Sequence, residues 1–223
     1  MAFLDAQKIS GYADNALKMV PGLADLHKMM GILLAERAPT DAHILVLGAG
    51  GGMELKTFAE AQADWQFKGI DPSKAMLDLA RITLGELNAR VHLHEGYIES
   101  TPLALFDGAS CLLTLHFLKQ PERLATLKEL YRRLKPGAAL VIAHHSFTVD
   151  TPEPDQWLKR NAAYAIASGM PVELAQSNIP ALKERLPILS PEQDTELLRK
   201  AGFVDIEMFY CAFTFKGWIA YRP

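Results

Sequence analysis

Residues 43–54 read His-Ile-Leu-Val-Leu-Gly-Ala-Gly-Gly-Gly-Met-Glu. An apolar run, Ile44 to Leu47, stops abruptly at three alternating glycines, Gly48, Gly50 and Gly52. The pattern predicts a buried strand, a tight loop and then a helix. Glycine suits such a loop because the turn visits backbone angles that other residues avoid, and because no Cβ stands between the backbone and a ligand. The next apolar run, Phe67-Lys68-Gly69-Ile70, ends in Asp71-Pro72-Ser73. Asp71 follows Gly50 by about 20 residues, the spacing at which an acid at the tip of the second strand can accept hydrogen bonds from the ribose hydroxyls of a nucleoside.

On either side of this stretch the hydrophobic period alternates between that of strands and that of helices. Helices are expected over 6–20 and 23–37, divided by Pro21-Gly22, and over 52–62, 73–84, 121–134 and 191–201. Strands are expected over 43–48, 65–70, 90–94, 106–113 and 138–143, with 203–210 and 212–220 as an antiparallel pair at the sheet edge. Lys135-Pro136-Gly137 is read as the end of a helix. Residues 152–187, punctuated by Pro171, Pro180 and Pro187, read as a helical lid. The fold class is therefore α/β: a doubly wound, mostly parallel, seven-stranded Rossmann-like sheet with an antiparallel C-terminal strand pair and a helical lid. A single domain is expected over 1–223, divided into N-terminal helices (1–40), a core (41–150), a lid insertion (151–188) and a C-terminal helix with its strand pair (189–223). Ligands in such sheets bind beyond the carboxyl ends of the strands, beside strand one. The residues to weigh are those after Leu47, Ile70, Leu93, Leu113 and Ala143.

The chain has 223 residues, of which 49% are hydrophobic, enough for one sizeable core. A net charge of −3 without a Lys/Arg block argues against a nucleic-acid partner. No apolar run reaches the roughly 18 residues that span a bilayer, and no leader is recognisable, so a cytoplasmic protein without a membrane partner is expected. Cys111 and Cys211 lie in apolar segments and read as buried free thiols. Leu23, Leu26, Met29, Met30, Leu33 and Leu34 recur at helical spacing, as core packing or as the face of a homodimer.

A dinucleotide fingerprint would need a third glycine at position 53, where Met53 stands. The pattern Gly-x-Gly-x-Gly, with Asp71-Pro72-Ser73 and Met76, resembles class I S-adenosyl-L-methionine (SAM)-dependent methyltransferases. NAD or FAD, or a Rossmann-like fold whose pocket has lost its ligand, are the alternatives. Within that superfamily the chain resembles the branch that includes carboxy-SAM synthase. The carrying residues are Val20-Pro21-Gly22, Leu34-Ala35-Glu36-Arg37, Thr114-Leu115-His116-Phe117-Leu118, Leu134-Lys135-Pro136-Gly137-Ala138, Ser146-Phe147 and Lys200-Ala201-Gly202-Phe203.

The resemblance implies SAM as cofactor and S-adenosyl-L-homocysteine as product. It places Gly48, Ala49, Gly50 and Gly52 under the methionine part, Asp71 at the ribose with Pro72 and Met76 following it, Tyr97 and Ile98 beside the adenine, and Leu112 near the methionine amino group. Val46, Tyr97 and Leu112 depart from the family's polar pattern; in particular, an acid is common two residues before Gly48. Each departure removes a hydrogen bond typically worth about 1 kcal/mol. Leu197 stands where the carboxy-transferring enzymes are expected to hold the extra carboxylate with an arginine, and Arg199 two residues on would face elsewhere.

Methyl transfer from a sulfonium asks the protein mainly to align an acceptor and exclude water. His116, His144 and His145 follow strands four and five; His116 and His145 are the candidate bases, with ordinary packing as the alternative. His144 and His145 should point to opposite sides of the sheet. Tyr12 is a candidate contact to the methionine end. No acidic ligand motif accompanies the histidines, so no metal is expected. Trp157, Arg160, Tyr164 and Arg185 of the lid are candidates to meet a small, anionic acceptor. Three activities stay open: methyl transfer to a small molecule, carboxy-SAM chemistry, and SAM binding with little catalysis.

Overall fold

The computed structural model describes residues 11–148 and 155–223. Seven strands, β1 (His43–Leu47), β2 (Gln66–Asp71), β3 (Val91–Glu95), β4 (Phe106–Leu112), β5 (Leu134–His145), β6 (Val204–Ala212) and β7 (Phe215–Tyr221), form one sheet in the order β3-β2-β1-β4-β5-β7-β6. Strands β1 to β5 run parallel. Strand β7 is antiparallel to both β5 and β6, which gives the expected edge pair. After β3 the chain returns to the other side of β1, so the switch point lies between β1 and β4, where ligands of doubly wound sheets bind.

Among the described residues eight α-helices accompany the sheet: α1 (Tyr12–Met19), α2 (Leu23–Ala35), α3 (Met53–Ala61), α4 (Lys74–Leu84), α5 (Gln120–Arg132), α6 (Gln156–Ala167), α7 (Val172–Arg185) and α8 (Pro191–Ala201). Alternate residues of β1 enter opposite cores. Ile44 and Val46 pack with Leu26, Met30 and Leu34 of α2 and Phe58 of α3. Leu45 and Leu47 pack with Leu127 and Leu130 of α5 and Leu197 and Leu198 of α8. Covering both faces explains why the strands read as continuous apolar runs. The methionine-bearing stripe of α2 is mainly core, with Leu23, Leu26, Met30 and Leu34 buried, while Ile32 is left 63% exposed. Helix α4 starts at a serine cap, Ser73 Oγ accepting from Met76 N, and α8 starts at a capping box between Ser190 and Gln193 with proline in its first turn.

Three sequence expectations are corrected. Lys135-Pro136-Gly137 does not end a helix: α5 stops at Arg132 and β5 already begins at Leu134. Proline is tolerated there because the β4–β5 register shifts between Phe106 and Gly108, leaving that stretch outside the regular ladder. The edge strands β6 and β7 lie slightly later than expected and turn at Phe213, whose φ is 50°. Cys111 is a buried thiol as expected, but Cys211 is exposed, because β6 is the edge strand and presents one side to solvent.

The segment expected as a lid contains the helix pair α6 and α7, which meet through Ala162, Ala165, Met170 and Ala175 and reach Met19 of α1. Asn161 Nδ2 donates to Met19 O at 3.4 Å. The expected positions 6–10 of the first helix and 152–154 of the lid lie outside the described residues. Among the described residues no helix is long and apolar enough to cross a membrane.

Candidate functional site

Between β1 and α3 the chain turns through Gly48, Gly51 and Gly52, with φ of 81°, 80° and 71°, angles that glycine alone adopts freely. Gly50 is not in that region, and it is needed for a different reason. A Cβ there would fall 2.7 Å from Asp71 Oδ2 and 2.8 Å from Met76 Cβ. The loop and the second strand tip are built against each other: Asp71 Oδ2 accepts from Gly50 N at 3.0 Å and Oδ1 accepts from Ser73 N at 2.8 Å. Burial raises the Asp71 carboxyl above its usual range, and the two backbone donors partly oppose this. Ala49, Met76 and Ile98 are buried, Pro72 is exposed, and Tyr97 is 66% exposed.

Next to the loop is a small cavity walled by Tyr12 of α1, His27 of α2, Gly48 and Gly50, Glu54 of α3, and Leu112 and Leu113 at the end of β4. The Tyr12 ring lies over the loop, so close that a Cβ on Gly51 would be 2.9 Å from it. Burial, with the Glu54 and Asp71 carboxyls nearby, pushes the Tyr12 hydroxyl up to about 12. Leu113 is held at a φ of 53° while its N donates to Ala143 O at 2.7 Å. Such a strained non-glycine residue is found where the surrounding structure imposes a particular backbone path. His27 is buried and driven down to about 4 by desolvation, so it is a neutral imidazole. The Glu54 carboxyl is driven up to about 8 by desolvation, although its bond from Ser110 Oγ at 2.8 Å opposes the shift.

His27 and Glu54 are the two cavity groups that sequence reasoning missed. A signal existed for each. His27 falls among the buried apolar positions of α2, and Glu54 stands in the first turn of the helix that the glycine loop opens.

The candidate bases lie elsewhere. His116 and His145 are buried and neither is on the cavity wall. His145 N donates to His116 Nδ1 at 3.3 Å, and the His145 ring stacks on Phe215 at 4.0 Å with Nδ1 2.9 Å from Thr214 Oγ1. Burial and neighbouring imidazoles push His116 well down and His145 to about 3. His144 takes the other direction, Nε2 lying 3.2 Å from Asp194 Oδ2. Asp194 is also paired with the fully buried Arg123 at 2.6 Å.

Leu197 is buried in the core beneath α8, and Arg199 is turned to solvent beside Glu196. In α6, the Arg160 guanidinium sits 4.5 Å over the Trp157 ring and Tyr164 approaches Phe213; these residues and the exposed Arg185 are not on the cavity wall. Among the described residues no three His, Cys, Asp or Glu are placed to hold a metal ion.

Residues 44–137 match the family described as a methyltransferase domain. Over 218 residues the chain is 24% identical to a carboxy-S-adenosyl-L-methionine synthase of Campylobacter lari, covering 98% of this chain and 93% of that protein. It is 26% identical over 223 residues to the protein of the same description from Chromohalobacter salexigens, covering 98% and 82%. Among solved structures, phosphoethanolamine N-methyltransferase 2 of Haemonchus contortus in complex with SAM has a TM-score of 0.69 at 16% identity, over 98% of this chain but only 57% of that one. The fold, the glycine loop and the match over residues 44–137 mark a SAM-dependent methyltransferase domain, with SAM as its cofactor. Along nearly its whole length the chain is similar to carboxy-SAM synthases.

Proposed function

We propose that the chain transfers the methyl group of SAM to a small-molecule acceptor, and that SAM rather than carboxy-SAM is its native ligand. When bound, SAM supplies a methyl on a sulfonium leaving group, and in-line displacement returns the electron pair to sulfur as S-adenosyl-L-homocysteine. Asp71, already fixed by Gly50 and Ser73, accepts from the ribose hydroxyls. Gly48, Ala49, Gly50 and Gly52 let the methionine part lie against bare backbone, with Leu112 at its amino-acid end. Ile98 and the exposed Tyr97 border the adenine. Tyr12 covers the methionine end and excludes water. Where the acceptor must lose a proton, the neutral His27 in the cavity wall is better placed to take it than His116 or His145, which keep packing and hydrogen-bonding roles.

One observation carries the choice of SAM: Leu197 is buried in apolar core where the carboxylate clamp is expected, and Arg199 points away to Glu196. A carboxylate brought in without a cation would cost several kcal/mol. The competing reading, carboxy-SAM synthesis, draws on the likeness to the synthases along the chain. The proposal includes a cytoplasmic setting and no nucleic-acid partner. It also includes a homodimer face using Leu17 of α1 and Ile32 of α2, both exposed.

The test is incubation with methyl-labelled SAM and the small-molecule fraction of a cell extract, read by mass spectrometry. Label in a metabolite together with S-adenosyl-L-homocysteine is expected. Formation of carboxy-SAM from SAM and prephenate would overturn the choice.

A further inference from the structure

Glu54 is a buried carboxyl without a cationic partner among the described residues. It stands in the first turn of α3, is 7% exposed, and forms part of the wall of the cavity beside the glycine loop. One oxygen, Oε1, accepts from Ser110 Oγ at 2.8 Å. Among the described residues no lysine, arginine or histidine forms an ion pair with it. A carboxyl taken out of water is costly when it ionises without a partner, and core packing alone would be served by an apolar residue.

Its place in the sheet is informative. Ser110 is the register partner of Val46 across β1 and β4. Directly paired residues on neighbouring strands share a face. Glu54 therefore reaches from the helix to the side of the sheet where an acid at position 46 would project, and position 46 is here an apolar valine buried in the core.

The cavity is walled by Gly48 and Gly50 of the loop, by Tyr12, and by Leu112 and Leu113 at the end of β4, and Asp71 is not on its wall. With the ribose at Asp71, the amino-acid end of SAM falls there. That end carries a primary ammonium, the complement of a buried carboxylate.

We propose that Glu54 is the anionic partner of the α-ammonium of the bound methionine moiety, replacing an acid at position 46. This rests on the reading of SAM as the ligand. It makes Glu54 a binding and positioning residue, which holds the amino-acid end so that the sulfonium is presented to the acceptor. The raised ionisation range of Glu54 accords with a group that takes its charge when a cation arrives.

Glu54→Gln tests it, because glutamine keeps the shape and an acceptor for Ser110 but cannot carry charge. Dissociation constants are measured by calorimetry for SAM, S-adenosyl-L-homocysteine, its deamino analogue and 5′-methylthioadenosine, which lacks the amino-acid part. E54Q should weaken SAM and S-adenosyl-L-homocysteine by about tenfold or more, the range of a charge-assisted hydrogen bond. It should leave 5′-methylthioadenosine and the deamino analogue unchanged. In the wild type, loss of the amine alone should cost the same factor, a comparison that does not depend on the variant folding. Equal affinity of E54Q and wild type for SAM would overturn the assignment, as would an equal loss for all four ligands. A fall in turnover without any change in SAM affinity would also overturn it, making Glu54 a base instead. A wild type that binds none of the SAM species would overturn the cofactor reading itself, and this assignment with it.

Discussion

At the scale of single residues, the proposed nucleoside site turns on Asp71. Its carboxylate spends one oxygen on Gly50 N and the other on Ser73 N, and each oxygen keeps acceptor capacity for a ribose hydroxyl. Asp71→Ala should weaken SAM binding by roughly 1.5–3 kcal/mol, the range for a hydrogen bond to a charged group, in a chain that still folds. An unchanged dissociation constant by calorimetry would remove Asp71 from the site. The glycines show where residue-level reading stops. That the loop needs glycine was legible. That Gly51, not Gly50, takes a left-handed angle, and that Gly50 is required by the closeness of Asp71 and Met76, depends on the distance between two strand ends.

Between elements, the least legible feature is the buried group that joins α5, β5 and α8. Arg123 pairs with Asp194, donates to Pro187 O at 3.0 Å, and through Asp194 meets His144. In the sequence Arg123 and Asp194 look like ordinary solvated charges near helix starts, because their partners are far away along the chain. Burial by itself would raise the Asp194 carboxyl, but His144 and Arg123 beside it hold it below the usual range. Asp194→Ala should cost about 3–5 kcal/mol, because it leaves a buried guanidinium uncompensated. Denaturant unfolding checks this, and the exposed pair Lys74–Asp78 serves as a control expected to contribute under about 1 kcal/mol. A loss at Asp194 no larger than the control would mean that solvent reaches the pair.

For the whole molecule, ligand and proton both act through the folded state. SAM at 100 times its dissociation constant should stabilise by about 2.7 kcal/mol, while NAD should not. Without ligand, the pH profile should have two limbs. His27, at about 4, and His145, at about 3, lie below their usual 6.5. From there up to 6.5 the unfolded chain binds more protons, so stability rises with pH. Glu54, at about 8 instead of 4.5, acts in the opposite sense: the folded chain holds the extra proton, so stability falls as pH rises through that window. Thermal melts across pH should show both limbs, and E54Q should lose the Glu54 part of the falling one, while the Asp71 carboxyl, also raised, keeps its own. A variant profile that superposes on the wild type would show that the Glu54 carboxyl ionises as freely in the folded chain as in the unfolded one.

The sequence by itself determined the α/β order, the glycine loop, the acid at the tip of β2 and the antiparallel edge pair, because each is written in local periodicity or in a short spacing along the chain. The start of β5 at Leu134 was not legible, since a Lys-Pro-Gly stretch reads as a break unless the neighbouring strand and its register shift are known. Nor was the meeting of His27 and Glu54 at one cavity wall, or the separation of His116 and His145 from it. Those placements depend on which helix faces which side of the sheet. Only the tertiary structure decided that an acid on α3 stands against Ser110 beside Val46, because hydrogen bonds and desolvation act over ångströms in space and are blind to distance along the chain.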